Sequence, residues 1–504
     1  MQLAIVHYHF DPGGVTQVVL NHLAALTIDA GDIERVILLC GPRQSALPDS
    51  FERFAPLRVD VVTVEALEYG EGDQLTSQLL ATLSSVGCPP ESTLLHLHNH
   101  SLGKNLGMMT AVSQLAGSGY RLLLQVHDFA EDFRPANYAM MLAAIQGNQR
   151  ALGNLLYPQA PQIHYAVLNR RDGIILAEAG VSAERLHWLP NPVTRPVELS
   201  DRATARKLLQ QHCSVGLHDH LVIYPVRGIR RKNLGEALLW STLLPDNTVV
   251  GFTLPPANPI ERTAYDDWAR QENLPVRFGM GTHQGVTYAD IISGSDQMLT
   301  TSVAEGFGMV FLETWLFDRT LIGRDLSEIT YDFRQAGVEF PGLRSSLEVP
   351  VGRAGGHRYR SALEALYRHT LEQFKLPFDA GQFSSQMAQR LDGPSIDFAH
   401  LTIEEQGNVV SLAKGDSQLR EALLELNPHI GSATNIENQL ETVCRNKEIV
   451  EARFSLGASG QNLRTIYAKC IGSHASDSIE PLPQSSAVLE AFLSLDRFTP
   501  VRVE

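Results

Sequence analysis

Thr301–Phe317, TSVAEGFGMVFLETWLF, is the stretch whose reading decides the fold. A short apolar run, Gln297–Thr301, leads into Ser302, and a glycine-flanked turn, Glu305-Gly306-Phe307-Gly308, follows. An apolar segment with Glu313 inside it comes next. Two acids thus bracket a glycine-rich strand-to-helix turn. Such a turn bares backbone N–H groups at a helix N-terminus, where anions bind well. Its glycines let a ligand approach the backbone closely. The first acid falls at the turn and the second inside the helix. The competing reading is a buried helix start with two incidental acids, and the rest of the chain must choose.

Outward from that stretch, strands and helices alternate. Leu3–Val6 is a short β-branched run that suits a buried parallel strand. It ends in His7-Tyr8-His9 and Asp11-Pro12-Gly13-Gly14, and helical periodicity follows over Val15–Leu26. This is a second glycine turn between strand and helix, of the kind that holds phosphate. Further strands are expected at Arg35–Cys40, Val59–Val64, Thr93–His98, Arg121–Val126, Ile163–Leu168 and Leu186–Leu189, with helices between them. That alternation predicts an α/β fold with a doubly wound parallel sheet. Polar Thr194–His218, with a helical piece at Ser200–His212, reads as a connection. A second strand series then opens at Leu221–Tyr224 and continues through Thr248–Phe252, Val276–Gly279, Gln297–Thr301 and Thr320–Gly323. Beyond Ser327 the pattern is mainly helical, including Ser395–Leu412 and Gly460–Cys470, and Ser473–Ser486 reads as a surface linker. The expected division is 1–196, a linker over 197–218, a second domain with a helical extension over 219–472, and a linker with a terminal helix over 473–504.

Composition limits the function. The net charge of −15 argues against nucleic acid or an anionic membrane as the main partner. The five cysteines show no CxxC spacing, which suits reduced thiols rather than a disulfide frame or a zinc site. No apolar run reaches the length of a membrane span, and the first residues lack the basic region of a signal peptide, so the expected location is cytoplasmic.

Two groups of side chains carry chemistry. Arg227, Arg230, Arg231 and Lys232 crowd one strand-to-helix turn, and such a cluster suits a diphosphate. His7 and His9 share one face of the first strand, His96, His98 and His100 share one face of the fourth, and His127 ends the fifth. In the usual doubly wound order those strands are neighbours with ligands at their carboxyl ends. The histidines are therefore expected to converge on one cleft, with Lys104 and Arg134 near them. Three readings stay open: imidazoles satisfied inside the sheet, a metal site of HxHxH spacing, or a polar acceptor pocket for an anionic or polyhydroxylated molecule.

The arrangement S-x-x-E-G-F-G-x-x-x-x-E from Ser302 to Glu313 resembles the hallmark of retaining nucleotide-sugar glycosyltransferases of the GT-B type, family 4 (glycosyl transferases group 1) in particular. DPGGVTQVV resembles that family's N-terminal glycine loop, LPNPV the segment that closes its first domain, and FSLGASGQNLRTIY its last helix, which packs back toward the first domain. Arg227 and Lys232 match the spacing of G-R-x-x-x-x-K-G, although Pro225-Val226 and Asn233 depart from its glycines. The opening HYH-x-x-x-GGVT and the RxxRRKN variant look like a branch that glycosylates small solutes, similar to the synthases of mannosylglucosylglycerate.

The resemblance implies two Rossmann-like domains facing a cleft, with a helical C-terminal extension. It implies transfer of a hexose from an NDP-sugar, of GDP-mannose or UDP-glucose type, to a small soluble acceptor, with no metal and no other cofactor. Arg227 and Lys232 would clamp the diphosphate, Glu305 would hold the donor sugar, and His127 would stand at the reaction centre. Gly13, Gly14, Gly306, Phe307 and Gly308 would line the donor, and Glu313 would bind the ribose. His9, His98, His100 and Lys104 are the acceptor candidates. A sugar phosphorylase and a catalytically lapsed binding module are the alternatives. The first would not need Glu313, and the second would not need the acids and bases at all.

Overall fold

A computed structural model describes residues 1–28, 31–42, 54–195, 198–353, 357–435 and 439–503. The chain forms two compact units, Met1–Val193 with Ala452–Ser494, and Thr194–Glu451 with Leu495–Glu504.

The first unit is built on seven parallel strands: β1 (Gln2–Val6), β2 (Arg35–Cys40), β3 (Arg58–Thr63), β4 (Thr93–His98), β5 (Arg121–Val126), β6 (Ile163–Val167) and β7 (Leu186–Trp188). Their order is β3-β2-β1-β4-β5-β6-β7. β1 therefore lies beside β4 and β4 beside β5, with Val6 opposite Leu97 and His98 opposite Gln125. The strands are apolar on both faces because helices cover both sides. One of these, α1 (Gly14–Ile28), packs against a helix from the far end of the chain, Leu456–Gly472. The contact is close because residue 460 is glycine: a Cβ there would stand 2.8 Å from the Ala25 carbonyl oxygen. Leu463, Ile466, Tyr467 and Cys470 of the late helix lie buried with Leu3, Leu23 and Leu26 in one core. Burial of a Leu or Ile side chain contributes about 1.5–3 kcal/mol, which is ample reason for the chain to return.

The second unit has six parallel strands: β8 (His220–Tyr224), β9 (Thr248–Phe252), β10 (Val276–Arg277), β11 (Gln297–Thr300), β12 (Thr320–Arg324) and β13 (Leu343–Arg344), ordered β10-β9-β8-β11-β12-β13. The reversal of strand order falls between β8 and β11, where Val222 stands opposite Gln297. Helix α2 (Leu234–Leu243) follows β8 and is buried along its whole length. The short helix α3 (Val310–Leu316) follows β11.

The expected boundaries need correction. Residue 197, the expected start of a linker, lies outside the described residues. From Arg202 to Cys213 the chain is a helix of the second unit, capped by the Asp201 carboxylate. Leu209 and Cys213 join Leu221, Ile223 and Ile291 in that unit's core. Arg202 and Arg206 both bind the Asp296 carboxylate, at 2.5 Å each. The helix expected at Ser200–His212 is thus present, but it is packed into the second unit and not part of a free connection. Ala452–Ser494, expected to belong with the second domain and a following linker, belongs to the first unit.

Ser395–Leu412 also differs from a single helix. Ser395–Asp397 pairs antiparallel with Glu348–Pro350, and the helix starts only at Ile403, where Thr402 and Glu405 form a capping box. The cause is Asp397. Its carboxylate is drawn to buried Arg324, whose guanidinium also binds Glu236, both at 2.6 Å. Burial pushes the Glu236 carboxyl up to about 7 even though Arg324 opposes the shift. A buried cation shared by two carboxylates becomes a large uncompensated charge pair when it is removed. Replacing Arg324 with Ala is expected to cost about 3–5 kcal/mol, read as a lower urea midpoint with the second unit's signal moving first.

Candidate functional site

The exit of β8 and the exit of β11 are adjacent and point the same way, so the two turns singled out in the sequence meet. After Tyr224 the chain runs through Arg227 to a single helical turn at Arg230–Lys232 and then into α2. After Thr300 it runs through Ser302 and Glu305 to α3. Tyr224 ties the turns together: its hydroxyl donates to the Lys232 carbonyl at 3.0 Å and shares a hydrogen bond with Ser302 Oγ at 2.8 Å. Thr301 Oγ1 donates to the Lys232 and Asn233 carbonyls, at 3.0 Å each. The Val303 N–H donates to the Arg231 carbonyl at 2.8 Å.

At the centre of this frame the Lys232 ammonium donates to Glu305 Oε1. Ser302 Oγ donates to the same oxygen at 2.7 Å. Burial alone would raise the Glu305 carboxyl. Lys232 and Arg231 outweigh it and, with the two hydrogen bonds, hold the carboxyl below its ordinary value. Glu305 is thus an ionised acceptor. Arg230 is committed elsewhere, to Glu261 at 2.5 Å and to the Val503 carbonyl at 2.7 Å. Arg227 is exposed and makes no hydrogen bond or ion pair among the described residues.

Asn233 accounts for one departure from the glycine pattern. Its φ and ψ are 49° and 56°, the left-handed region that favours glycine and that Asn tolerates best among side chains. Its amide donates to Glu236 Oε2 at 2.7 Å, and its oxygen accepts from Gln406 at 3.0 Å. Asparagine thus keeps the glycine-like backbone and fastens α2 to the Arg324 network. Gly308 is a true glycine position, with φ +78°, where a Cβ would meet the Phe311 ring at 2.6 Å. Phe307 is core rather than lining: it is buried and packs edge-on to Phe333 at 5.3 Å. Only its backbone, with that of Gly306, remains to line a ligand.

Glu313 lies on α3, close to Tyr288, and its carboxylate accepts no hydrogen bond among the described residues. Burial pushes it up to about 7. A nearly buried carboxyl group without a donor is a group prepared to receive one from outside.

In the first unit, Gly13 and Gly14 are exposed at the start of α1. A Cβ at Gly14 would meet nothing within 4 Å, and neither residue has a positive φ. The fold itself gives no reason for glycine there. The histidines converge as expected, but inward rather than on an open surface. His98 is 1% exposed, and its Nδ1 shares a hydrogen bond with His127 Nε2 at 2.8 Å. His96 stacks on His98 with centroids 4.3 Å apart, and His22 of α1 stacks on His96 at 5.9 Å. His96 Nε2 donates to Gln125 Oε1 at 3.0 Å, so its Nδ1 accepts from Tyr467 at 2.9 Å. That ring is fully satisfied inside the sheet, and the Tyr467 bond also fastens the returning helix. Burial depresses all of these imidazoles, His127 to about 3 with Asp128 opposing.

His98 and His100 therefore do not meet the acceptor role expected of them. His100 is 2% exposed and its Nε2 donates to the Leu156 carbonyl at 2.8 Å. His98 instead stands behind His127. The remaining candidates do gather at the surface: His9 Nε2 hydrogen-bonds the Tyr69 hydroxyl at 2.8 Å, and Lys104 lies 5.5 Å from the same ring. Arg134 is paired with Asp128 at 2.7 Å. His22, Tyr467, Tyr69 and Asn99 escaped sequence reading. Asn99, with φ 55°, accepts from the His127 N–H at 2.8 Å and the Asp128 N–H at 3.1 Å, and so aims the β5 exit. A polar residue just past a buried strand is the only signal it gives. Among the described residues, ligating atoms of His22, His96 and His98 come within 4.8 Å of one another. Because both His96 nitrogens already hold partners, that trio is a poor metal site.

The structure superposes on Anabaena Alr3699/HepE in complex with UDP-glucose with a TM-score of 0.53, 15% identity, and coverage of 93% of this chain and 100% of the other. It superposes on sucrose-phosphate synthase from Thermosynechococcus elongatus with a TM-score of 0.52, 15% identity, and coverage of 93% and 98%. The fold is that of the GT-B glycosyltransferases. A glycosyltransferase from Rickettsia africae gives a TM-score of 0.52 at 10% identity, over 94% of this chain and 98% of the other. In sequence, the chain is 26% identical over 349 residues to mannosylglucosyl-3-phosphoglycerate synthase of Petrotoga mobilis. That match spans 66% of each protein's length. No family model matches.

Two tests follow from the site. The native state holds the Glu313 proton up to about pH 7, whereas an unfolded chain releases it near 4.5. Stability contributed by the protonated form is therefore lost as pH rises through that window. Glu313→Gln is expected to be less sensitive to pH between about 4.5 and 7 than the parent in thermal melts, a comparison in which Glu236 and Glu131 cancel. Asn233→Gly should lose about 1–2 kcal/mol through its hydrogen bonds, and Asn233→Val distinctly more because a β-branched residue resists positive φ, both by urea denaturation.

Proposed function

We propose that this protein is a retaining hexosyltransferase. It would move a hexose from an NDP-sugar, of GDP-mannose or UDP-glucose type, to a small soluble acceptor that is anionic or polyhydroxylated. One observation carries the reading: a basic turn and a paired-acid glycine turn lie side by side at the carboxyl ends of β8 and β11, at the strand-order reversal where such sheets bind ligands.

Roles follow from placement. Arg227 is unpaired and free to take a diphosphate oxygen, and Lys232 sits one turn on. Together they would stabilise charge on the departing diphosphate, an effect confined to the transition state. Lys232 is already paired with Glu305, so the diphosphate would compete for it and leave Glu305 to accept donor sugar hydroxyls. The Gly306–Gly308 backbone would line the sugar. Glu313, lacking a donor, would accept from the ribose, which also disfavours a phosphorylase that holds no nucleoside. In retaining enzymes of this resemblance the leaving phosphate itself takes the acceptor proton, so no protein base is assigned. The reaction so drawn uses no metal. In the first unit, Gly13 and Gly14 offer an open backbone to phosphate and His127 a neutral imidazole. His9 and Lys104 are the groups left to recognise an acceptor. The Petrotoga relative is named for a glycosylated phosphoglycerate, a small anionic solute, which supports an acceptor of that class and a cytoplasmic setting.

The test is a thermal-shift and donor-hydrolysis panel over UDP-glucose, GDP-mannose and inorganic phosphate. A nucleotide sugar is expected to raise the melting temperature and to be turned over. Stabilisation by no nucleotide would sink the proposal, and stabilisation by phosphate alone would favour a phosphorylase. Lys232→Ala is expected to lower kcat/KM about 10²–10³-fold. Glu313→Ala is expected to weaken nucleotide binding while sparing a nucleotide-free sugar.

A further inference from the structure

The first unit contains a cavity of about 1020 Å³ at the amino-terminal ends of β6 and β7, the opposite strand ends from His127. One wall is the sheet edge at Gln159–His164 and Glu184–Arg185. The other is the returning chain from Lys469 to Pro483. That wall is fixed in place. Gln159 and Glu480 exchange backbone hydrogen bonds at 2.9 and 2.7 Å, and Gln162 donates to the Ser476 carbonyl at 2.7 Å.

Arg185 and Lys469 meet here, and neither forms an ion pair among the described residues, although the neighbouring Glu184 carboxylate acts on Arg185. Arg185 donates to the Ala160 carbonyl and to Gln159 Oε1, both neutral. Lys469 makes no ion pair or hydrogen bond among the described residues. Both cations press on His164, which is 4% exposed and whose Nε2 has no hydrogen-bond partner. His164 Nδ1 shares a hydrogen bond with His187 Nε2 at 2.9 Å. The ring also interacts with the Pro161 backbone, so the imidazole is held in place between that backbone and His187. The other titratable groups on the lining are His474, Glu184 and Glu480, and Glu480 already accepts from Ser478 at 2.5 Å.

His164, His187 and Cys470 also bring ligating atoms within 4.8 Å of one another. A dication there would face both Arg185 and Lys469. The two imidazoles are already joined to each other, and burial raises the Cys470 thiol. Charge that repels a metal attracts an anion.

We propose that this cavity binds a phosphate monoester, with Lys469 and Arg185 as its charge partners beside the His164 ring. The volume exceeds what phosphate alone needs, so the ester would carry a body of sugar size. The site is separate from the donor site of the second unit and does not rest on the function proposed above.

The test is isothermal titration of the full chain with glucose 6-phosphate, with ribose 5-phosphate and with inorganic phosphate. Saturable binding of at least one ester is expected, weakened at least tenfold in Lys469→Glu and unchanged in Lys232→Ala. Lys469→Gln, which removes the charge but keeps an exposed polar side chain, should show an intermediate loss and a parent-like melt. In the parent, the ester should also shift the ring ¹⁵N signal of His164, identified by its loss in His164→Asn. Binding that is equal in Lys469→Glu and the parent would overturn the proposal, as would binding lost in Lys232→Ala. Tight zinc binding that disappears in Cys470→Ala, with no ester bound, would make the cluster a metal site instead.

Discussion

The second unit depends on one parallel pairing, β8 beside β11. That pairing places a turn of bases next to a turn of acids, and charges of opposite sign this close in a half-buried place must either pair or be held apart. Here they pair, Lys232 with Glu305, while Tyr224, Ser302 and Thr301 bind the backbone of one turn to the side chains of the other. The pair would cost more in desolvation than it returned if the carboxylate had only one partner. Ser302 and Arg231 supply the rest of its environment. The outcome is an ionised acid and a cation set in fixed positions before a ligand arrives, the condition under which electrostatic stabilisation is most effective.

Behind that pair lies a second charged layer. Arg324 holds Glu236 and Asp397, and Asn233 joins Glu236 to the turn that carries Lys232. The site's rigidity is therefore supplied from below by polar contacts rather than by packing alone. The same layer explains why Ser395–Asp397 is a strand and not the start of a helix.

Much of this was legible in the sequence because the signals are local. Strand runs, glycine turns and the two acids around the turn before α3 are patterns within a few residues, and they anticipate the strand order around β1, β4 and β5 and the pairing of the two turns on one unit, where Lys232 meets Glu305. What was not legible depends on distant partners. Nothing near Arg324 says that it will be buried between Glu236 and Asp397. The helix Arg202–Cys213 looks like a linker because only one face, with Leu209 and Cys213, is apolar. His98 and His100 alternate correctly on β4, yet alternation cannot tell a cleft from a buried layer when helices cover both faces. His22 and Tyr467, which close that layer, come from remote parts of the chain. Phe307 was misjudged because a ring in a glycine turn looks exposed until Phe333 is found beneath it.

The return of Leu456–Gly472 to the first unit bears on how the protein is made. The chain passes from one unit to the other after Val193, after Glu451 and again after Ser494. When residue 193 leaves the ribosome, the sheet of the first unit is complete, but the groove beside α1 is empty and His96 lacks Tyr467. The apolar strip of Leu23 and Leu26 must wait, uncovered, while some 260 further residues are synthesised. The first unit to begin folding thus lacks part of its core until Leu456–Gly472 has been made.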